Sequence, residues 1–303
     1  MRLKINIKHA LADLEEKLKR RGKGGVVLGA GRVYSLAYAD DVVLMADDEA
    51  AIRLLMDEFG KYAREKDLCV NVEKTKVVRF RKRRGGKKYD WKMNKREVEE
   101  VDEFCYLGFW FEWNGTHELN VKRRVEKASR VMGQVWGIGE RRFKDDWKRR
   151  VWLFDVLIWS IVSYGAEVWG WKEEKKVESM HERLLRWVMG VSMYCPGYML
   201  REELEREKMV VRQRKRAWRF EEKLRQGGGS DWARMCLEKI EEREARGARE
   251  MTRWEKMRRK VRKDKGQNGI GVEGVMELRL KKGIRMRGGR KSGSQGTTGG
   301  TGW

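Results

Sequence analysis

Asp40 and Asp41 are adjacent carboxylates inside a largely apolar run over 33–45. Like charges side by side repel, and a bound cation relieves them. Mg²⁺ suits the task, because it prefers hard oxygen ligands and keeps waters and substrate phosphates as its other partners. The chemistry open to such a pair is two-metal phosphoryl transfer. One ion activates an attacking hydroxyl and the other stabilises the leaving pyrophosphate. The plainer alternative is an exposed Asp-Asp turn that binds no metal.

Other residues with chemical potential form weaker patterns. Gly29-Ala30-Gly31 falls short of a dinucleotide fingerprint, and Gly22-Lys23-Gly24 is not a phosphate-binding loop. His181-Glu182 begins like a zinc-protease helix, but Leu185 stands where the second histidine belongs. His9 and His117 have no readable nucleophilic partner. The four cysteines, Cys69, Cys105, Cys195 and Cys236, are far apart and form no CxxC pair. That spacing disfavours a disulfide framework or zinc site and fits reduced, intracellular thiols, in the nucleus or cytoplasm rather than secreted.

Periodicity shows the elements that must position these residues. Leu11, Leu14 and Leu18 share one face of a predicted helix over 9–20, with acids early and bases late. Apolar runs over 26–28 and 33–45 read as strands, and the second folds into a hairpin with the two acids at its tip. A helix follows, capped by Asp47 or Asp48, with Ile52, Leu55, Met56, Phe59, Tyr62 and Ala63 as its buried stripe. Two short strands are expected over 68–72 and 77–80, a basic turn over 81–88, and a further hairpin within 101–111. Beyond residue 115 the pattern becomes helical. Val121, Val125, Ala128, Met132 and Val135 align on one helix. Trp147, Val151, Phe154, Ile158 and Ile161 align on a second, over 145–162. Val177, Met180, Leu184 and Trp187 or Val188 align on a third, over 172–189. Short connections between three amphipathic helices predict a small bundle. Two charged helices follow over 199–225 and 231–263, separated by Gly227-Gly228-Gly229.

The chain of 303 residues carries 71 Lys and Arg against 47 Asp and Glu, a formal net charge of +24. That surplus points to a polyanionic partner, either nucleic acid or an anionic membrane surface. The 14 Trp favour nucleic acid, since bases stack on aromatic rings while phosphates take the cations. The most apolar stretch, 151–171, contains Asp155 and Glu167 and reads as a buried helix rather than a membrane span. The dense basic run over 79–88 suits a nucleic-acid backbone contact, a nuclear localisation signal or a solvated loop equally well.

The string Ser35-Leu36-Ala37-Tyr38-Ala39-Asp40-Asp41-Val42-Val43-Leu44-Met45-Ala46 is far more specific than two acids. It resembles the catalytic turn of reverse transcriptases, particularly those of non-LTR, LINE-type retrotransposons. The likeness continues in the same order downstream. Leu68-Cys69-Val70-Asn71-Val72-Glu73-Lys74-Thr75-Lys76 resembles the next polymerase motif. Phe104-Cys105-Tyr106-Leu107-Gly108 resembles the primer grip. Tyr164-Gly165-Ala166-Glu167-Val168-Trp169 and His181-Glu182-Arg183-Leu184-Leu185-Arg186-Trp187 are similar to strings of the helical thumb.

The resemblance implies a two-metal RNA-directed DNA polymerase acting on an RNA template, a DNA primer and dNTPs. Asp40 and Asp41 would hold Mg²⁺ or Mn²⁺, bound weakly by this chain alone. Lys74 would act near the leaving pyrophosphate. Tyr38, Ala39, Tyr106, Leu107 and Gly108 would contact the primer. Lys122, Arg123, Lys127 and Arg130 lie off the apolar stripe of their helix and would meet the nucleic-acid backbone. The family also needs a third carboxylate and a Gln-Gly-type segment upstream. Only 37 residues precede Tyr38, and Asp13 lies in a helix as a solvated acid. A largely inactive piece of the polymerase is therefore expected, with a non-catalytic nucleic-acid-binding remnant as the alternative. The expected fold is α+β: a partial palm over 1–115, a helical thumb over 116–195, a basic helical extension over 196–264 and a disordered Gly/Ser-rich tail over 265–303.

Overall fold

A computed structural model describes residues 11–20, 24–86, 89–247 and 251–266. The fold is α+β. It divides into two compact units. Among the described residues, the first holds those up to 120 together with 224–245, and the second holds 121–223 with those from 246 to 266. The predicted Gly/Ser-rich tail, the start of the predicted first helix and the Gly22-Lys23 pair lie outside the described residues, apart from 265–266 at the head of the tail.

In the first unit, α1 (Leu14–Arg20) presents Leu14 and Leu18 to the core. Next come β1 (Val26–Leu28) and β2 (Gly31–Val33), then β3 (Ser35–Tyr38) and β4 (Asp41–Leu44), as two antiparallel hairpins. The helix α2 (Glu49–Glu65) starts at Asp48, whose side chain accepts from the Ala51 N–H. Its buried face is Leu55, Met56, Phe59, Tyr62 and Ala63. Leu55, Met56, Phe59 and Tyr62 share one core with Leu11, Leu14, Leu18, Tyr34, Trp91, Met93 and Val98.

A mixed three-stranded sheet follows. β5 (Lys76–Val78) pairs in parallel with β7 (Arg96–Val101), which pairs antiparallel with β6 (Trp91–Met93). The hairpin of β8 (Glu103–Tyr106) and β9 (Phe109–Glu112) completes the strands. The expected strand over 68–72 does not form. Leu68, Val70 and Val72 still pack on the core, but from an irregular segment without a ladder partner. Part of the 79–88 basic run is absorbed into the sheet. Arg79 and Arg81 pair with Glu100, which also accepts from the Trp91 indole N–H at 2.9 Å.

Gly29 and Gly60 are among the glycines at close approaches. Gly29 has φ of 60° in the β1–β2 loop, and a Cβ there would lie 3.2 Å from the Met235 methyl. Met235 belongs to α10 (Asp231–Arg246), most of which is part of the first unit. In α2, a Cβ on Gly60 would stand 2.6 Å from the Asn94 side-chain oxygen, so a larger residue there would have to displace that side chain from the β6–β7 turn.

The second unit takes most of α3 (Glu118–Arg142), whose Val121, Ala128, Met132 and Val135 are buried as the spacing predicts. The predicted helix over 145–162 is interrupted. An α-helical turn, α4 (Trp147–Leu153), passes through a π-helical segment (Phe154–Ile158) into α5 (Trp159–Val162). The wider turn carries the apolar stripe on by four residues, so Val162 rather than Ile161 is buried. Then come α6 (Ala166–Trp169), α7 (Lys175–Met189), α8 (Gly197–Glu203), α9 (Met209–Arg225) and α11 (Arg253–Gly266). The single helices predicted over 199–225 and 231–263 are each broken in two. α4 packs on α7, and Val177, Met180, Leu184 and Val188 are buried there, leaving Trp187 more exposed. No helix among the described residues is long and apolar enough to cross a membrane.

Candidate active site

The Asp40-Asp41 pair sits where the β3–β4 hairpin turns. The ladder runs Ser35 to Leu44, Leu36 to Val43, Ala37 to Val42 and Tyr38 to Asp41, which leaves Ala39 and Asp40 as a two-residue loop. Ala39 has φ of 54°. A residue with a Cβ is uncommon in that region, and such strain tends to persist where the surroundings over-determine it. Ala37, Tyr38, Ala39, Asp40 and Asp41 are all exposed. Tyr38 therefore stands out beside the turn instead of packing beneath it.

Glu15 of α1 fixes the base of this hairpin. Its carboxylate accepts from the Tyr34 N–H at 2.9 Å, the Ser35 N–H at 2.8 Å and the Ser35 hydroxyl at 2.6 Å. Charge-assisted bonds of this kind are roughly twice as strong as neutral ones. They tie β3 to α1 where the chain bends into the hairpin. Asp13, on the same segment, accepts from the Tyr62 hydroxyl at 2.5 Å and pairs with Lys66 at 3.1 Å. Those bonds lower the Asp13 pKa, the Tyr62 contact most, while burial and then Asp13 raise that of Tyr62. Asp13 is thus a tether to α2, not a partner of the Asp40-Asp41 pair.

The β8–β9 hairpin is a second tight turn in the same unit. Tyr106 pairs with Phe109, and the loop residues Leu107 and Gly108 have φ of 47° and 75°. Positive φ at both loop positions matches the type I′ turn, whose twist suits a two-residue hairpin. Asn120, fully buried at the start of α3, accepts from the Trp110 N–H at 3.2 Å and anchors the hairpin. Burial raises the Tyr106 phenol pKa, and the Asp41 carboxylate raises it further. The fold therefore brings these two sequence-predicted residues within electrostatic reach. Leu107 is exposed at the hairpin tip.

Lys74 lies on a loop that Asn71 organises. The Asn71 side-chain oxygen accepts from the Lys74 N–H at 3.1 Å, and its carbonyl accepts from the Thr75 hydroxyl at 2.8 Å. The Lys74 side chain is exposed. Nothing in the local bonding joins it to Asp40 or Asp41. Lys122, Arg123, Lys127 and Arg130 are exposed on α3, in the second unit. Arg123 stands 3.9 Å from Glu126. Arg124, another base off the apolar stripe of this helix, stacks 4.1 Å from the Tyr164 ring centroid.

Asp40 and Asp41 supply hard oxygens suited to Mg²⁺, but no group of three or more His, Cys, Asp or Glu among the described residues is placed to hold a metal. Ligand number and geometry set affinity, so this donor set does not complete a divalent-cation site by itself. Sequence reading missed Glu15 and Asn120, the two side chains that secure the hairpins. Each is an ordinary polar residue in a helix, with no sequence signal of its distant partner.

Residues 4–111 match the family model for reverse transcriptase (RNA-dependent DNA polymerase). A transposon-derived protein of Caenorhabditis elegans is 28% identical over 165 residues, covering 52% of this chain. The match spans 57% of that relative's length. No solved structure matches the chain. The similarity to the reverse transcriptase family is confined to residues 4–111, the stretch that contains the 38–41 turn and the Lys74 loop.

Proposed function

We propose that the chain is the catalytic-turn and primer-gripping part of a reverse transcriptase from a LINE-type retrotransposon, with RNA template and DNA primer as its partners. The observation that carries this reading is the presence of two tight hairpins in one compact unit. One exposes Asp40 and Asp41 at its turn, and the other turns through Leu107 and Gly108. In the intact polymerase, dNTP and a divalent cation, Mg²⁺ or Mn²⁺, complete the site with a third carboxylate. The described residues do not supply that set. Tyr38, Ala39, Tyr106, Leu107 and Gly108 position the primer end beside the acids. Lys122, Arg123, Lys127 and Arg130 neutralise backbone phosphates, and Lys74 serves near the leaving group once the site is complete.

The incomplete carboxylate set favours a second reading, a nucleic-acid-binding remnant without catalysis. One experiment separates them. The purified chain is expected to bind an RNA–DNA primer–template with affinity that falls steeply as salt rises, because bound cations are exchanged for protein contacts. It is expected to extend the primer with neither Mg²⁺ nor Mn²⁺. Extension that disappears in Asp40→Ala would show that this chain completes the site unaided. Affinity unchanged from low to high salt would count against both readings. Extension restored by adding a polypeptide that carries the third carboxylate strand favours the polymerase, and failure to restore it favours the remnant.

A further inference from the structure

We infer that α9 and the groove beside it bind the phosphodiester backbone of a nucleic-acid strand, well outside the stretch matched by the reverse transcriptase family. Arg212, Lys215, Arg216, Arg219 and Lys223 line a groove of about 480 Å³ in the second unit. Their spacing of three, one, three and four residues puts them on one helical face. At 1.5 Å per residue the row runs roughly 16 Å, a length over which a strand presents several phosphates.

The cations are held in place from beneath. Arg212 donates to Asp155 at 2.6 Å and lies 4.4 Å from the Trp159 ring centroid. Arg216 donates to Glu167 at 2.6 Å and to the Ser163 hydroxyl at 2.8 Å. Lys215 donates to Glu207 at 2.8 Å. A guanidinium has five N–H donors, so an arginine fixed by a carboxylate keeps others for a second acceptor. The acids lining the groove, Glu167 and Glu207, are already engaged, and five cations leave a positive surplus. Arg219 and Lys223 are exposed at its edge, and Trp159 and Phe220 add aromatic surface. A row of cations beside the aromatic surfaces of Trp159 and Phe220 fits a strand of phosphates and bases.

The inference does not rest on the polymerase reading, and its test keeps the two apart. Arg219→Glu/Lys223→Glu alters exposed residues only, and its melting temperature is compared with that of the parent chain. Fluorescence anisotropy with a labelled single-stranded RNA measures affinity across a salt series. The double variant is expected to bind at least tenfold more weakly. The slope of log affinity against log salt should become shallower by about 1.4, from two lost contacts at about 0.7 each. If the reversed charges disturb folding, Arg219→Gln/Lys223→Gln should give a smaller change in the same direction. Unchanged affinity and slope overturn the inference. So does loss of binding only to phosphatidylserine vesicles. Loss confined to a companion Lys122→Glu/Lys127→Glu variant overturns it too, while leaving the polymerase reading in place.

Discussion

Glu221→Ala is expected to destabilise the second unit by about 3–5 kcal/mol, the usual cost of breaking a buried ion pair by removing one partner. Glu221 lies on α9 and receives both arms of Arg258 from α11, at 2.6 and 2.7 Å. Arg258 is fully buried, and Glu221 is nearly so. Arg262 adds a third bond to the same carboxylate at 2.6 Å. Around them Trp171, Ala217 and Val261 are buried, with Trp218, Trp254 and Met257 packed alongside. Removing the carboxylate takes from the buried Arg258 guanidinium the two bonds that Glu221 accepts. Urea denaturation of the full chain measures the loss. The double variant Glu221→Leu/Arg258→Met should recover most of it, because an apolar pair of similar volume replaces a buried ion pair at little net cost. A single-variant loss below about 1 kcal/mol would mean that the pair is solvated.

Acid should destabilise the same unit through His181. This side chain is fully buried on α7, 5.2 Å from the Phe154 ring centroid. Neither ring nitrogen has a hydrogen-bond partner among the described residues. Burial above all, with the charges of Arg206, Arg212 and Arg201 outweighing that of Asp155, depresses its pKa to about 3. The unfolded chain takes up this proton near pH 6.5, while the folded chain refuses it until about pH 3. Stability is therefore full above pH 6.5 and falls as pH drops, by about 1.4 kcal/mol per unit, until the folded pKa is reached. His181→Leu removes the titrating group and two unsatisfied nitrogens. The variant should be at least as stable as the parent at pH 7 and increasingly more stable between pH 6 and pH 3.5. Denaturation midpoints that run parallel for both chains across that range would show that His181 does not titrate on unfolding.

Apolar periodicity carried most of the helices from sequence to structure. Leu14 and Leu18, Leu55 to Ala63, and Ala128 to Val135 are buried where their spacing puts them. The β3–β4 hairpin was legible because two charges interrupt a run of strand-forming residues. The β6–β7 hairpin was not. It alternates Trp91, Met93 and Val98 inward, but charged neighbours surround them, and its turn is Asn94-Lys95 with both φ positive instead of the glycine-bearing pair usual there. The break between α8 and α9 carries no Gly or Pro either. Glu205 adopts φ of 50°, and the Glu178 carboxylate, from α7, accepts from the Met209 N–H at 2.8 Å. Such a long-range cap leaves no trace in local sequence. The same holds for Glu15, which reads as one more acid in the first turn of a helix yet holds the base of the β3–β4 hairpin. Residue types and order thus made the site's turns legible. Its supports depend on tertiary hydrogen bonds, which periodicity cannot encode.

The central claim is that the 38–41 turn and the 106–108 loop form one primer-end site. A DNA primer ending in a photoreactive 4-thiothymidine at its 3′ terminus, annealed to an RNA template and irradiated on the chain, tests it directly. Mass spectrometry of the digest should place the adducts on the peptides that contain Tyr38 and Tyr106. Adducts confined to the basic helices α3 and α9, with neither turn labelled, would contradict the claim.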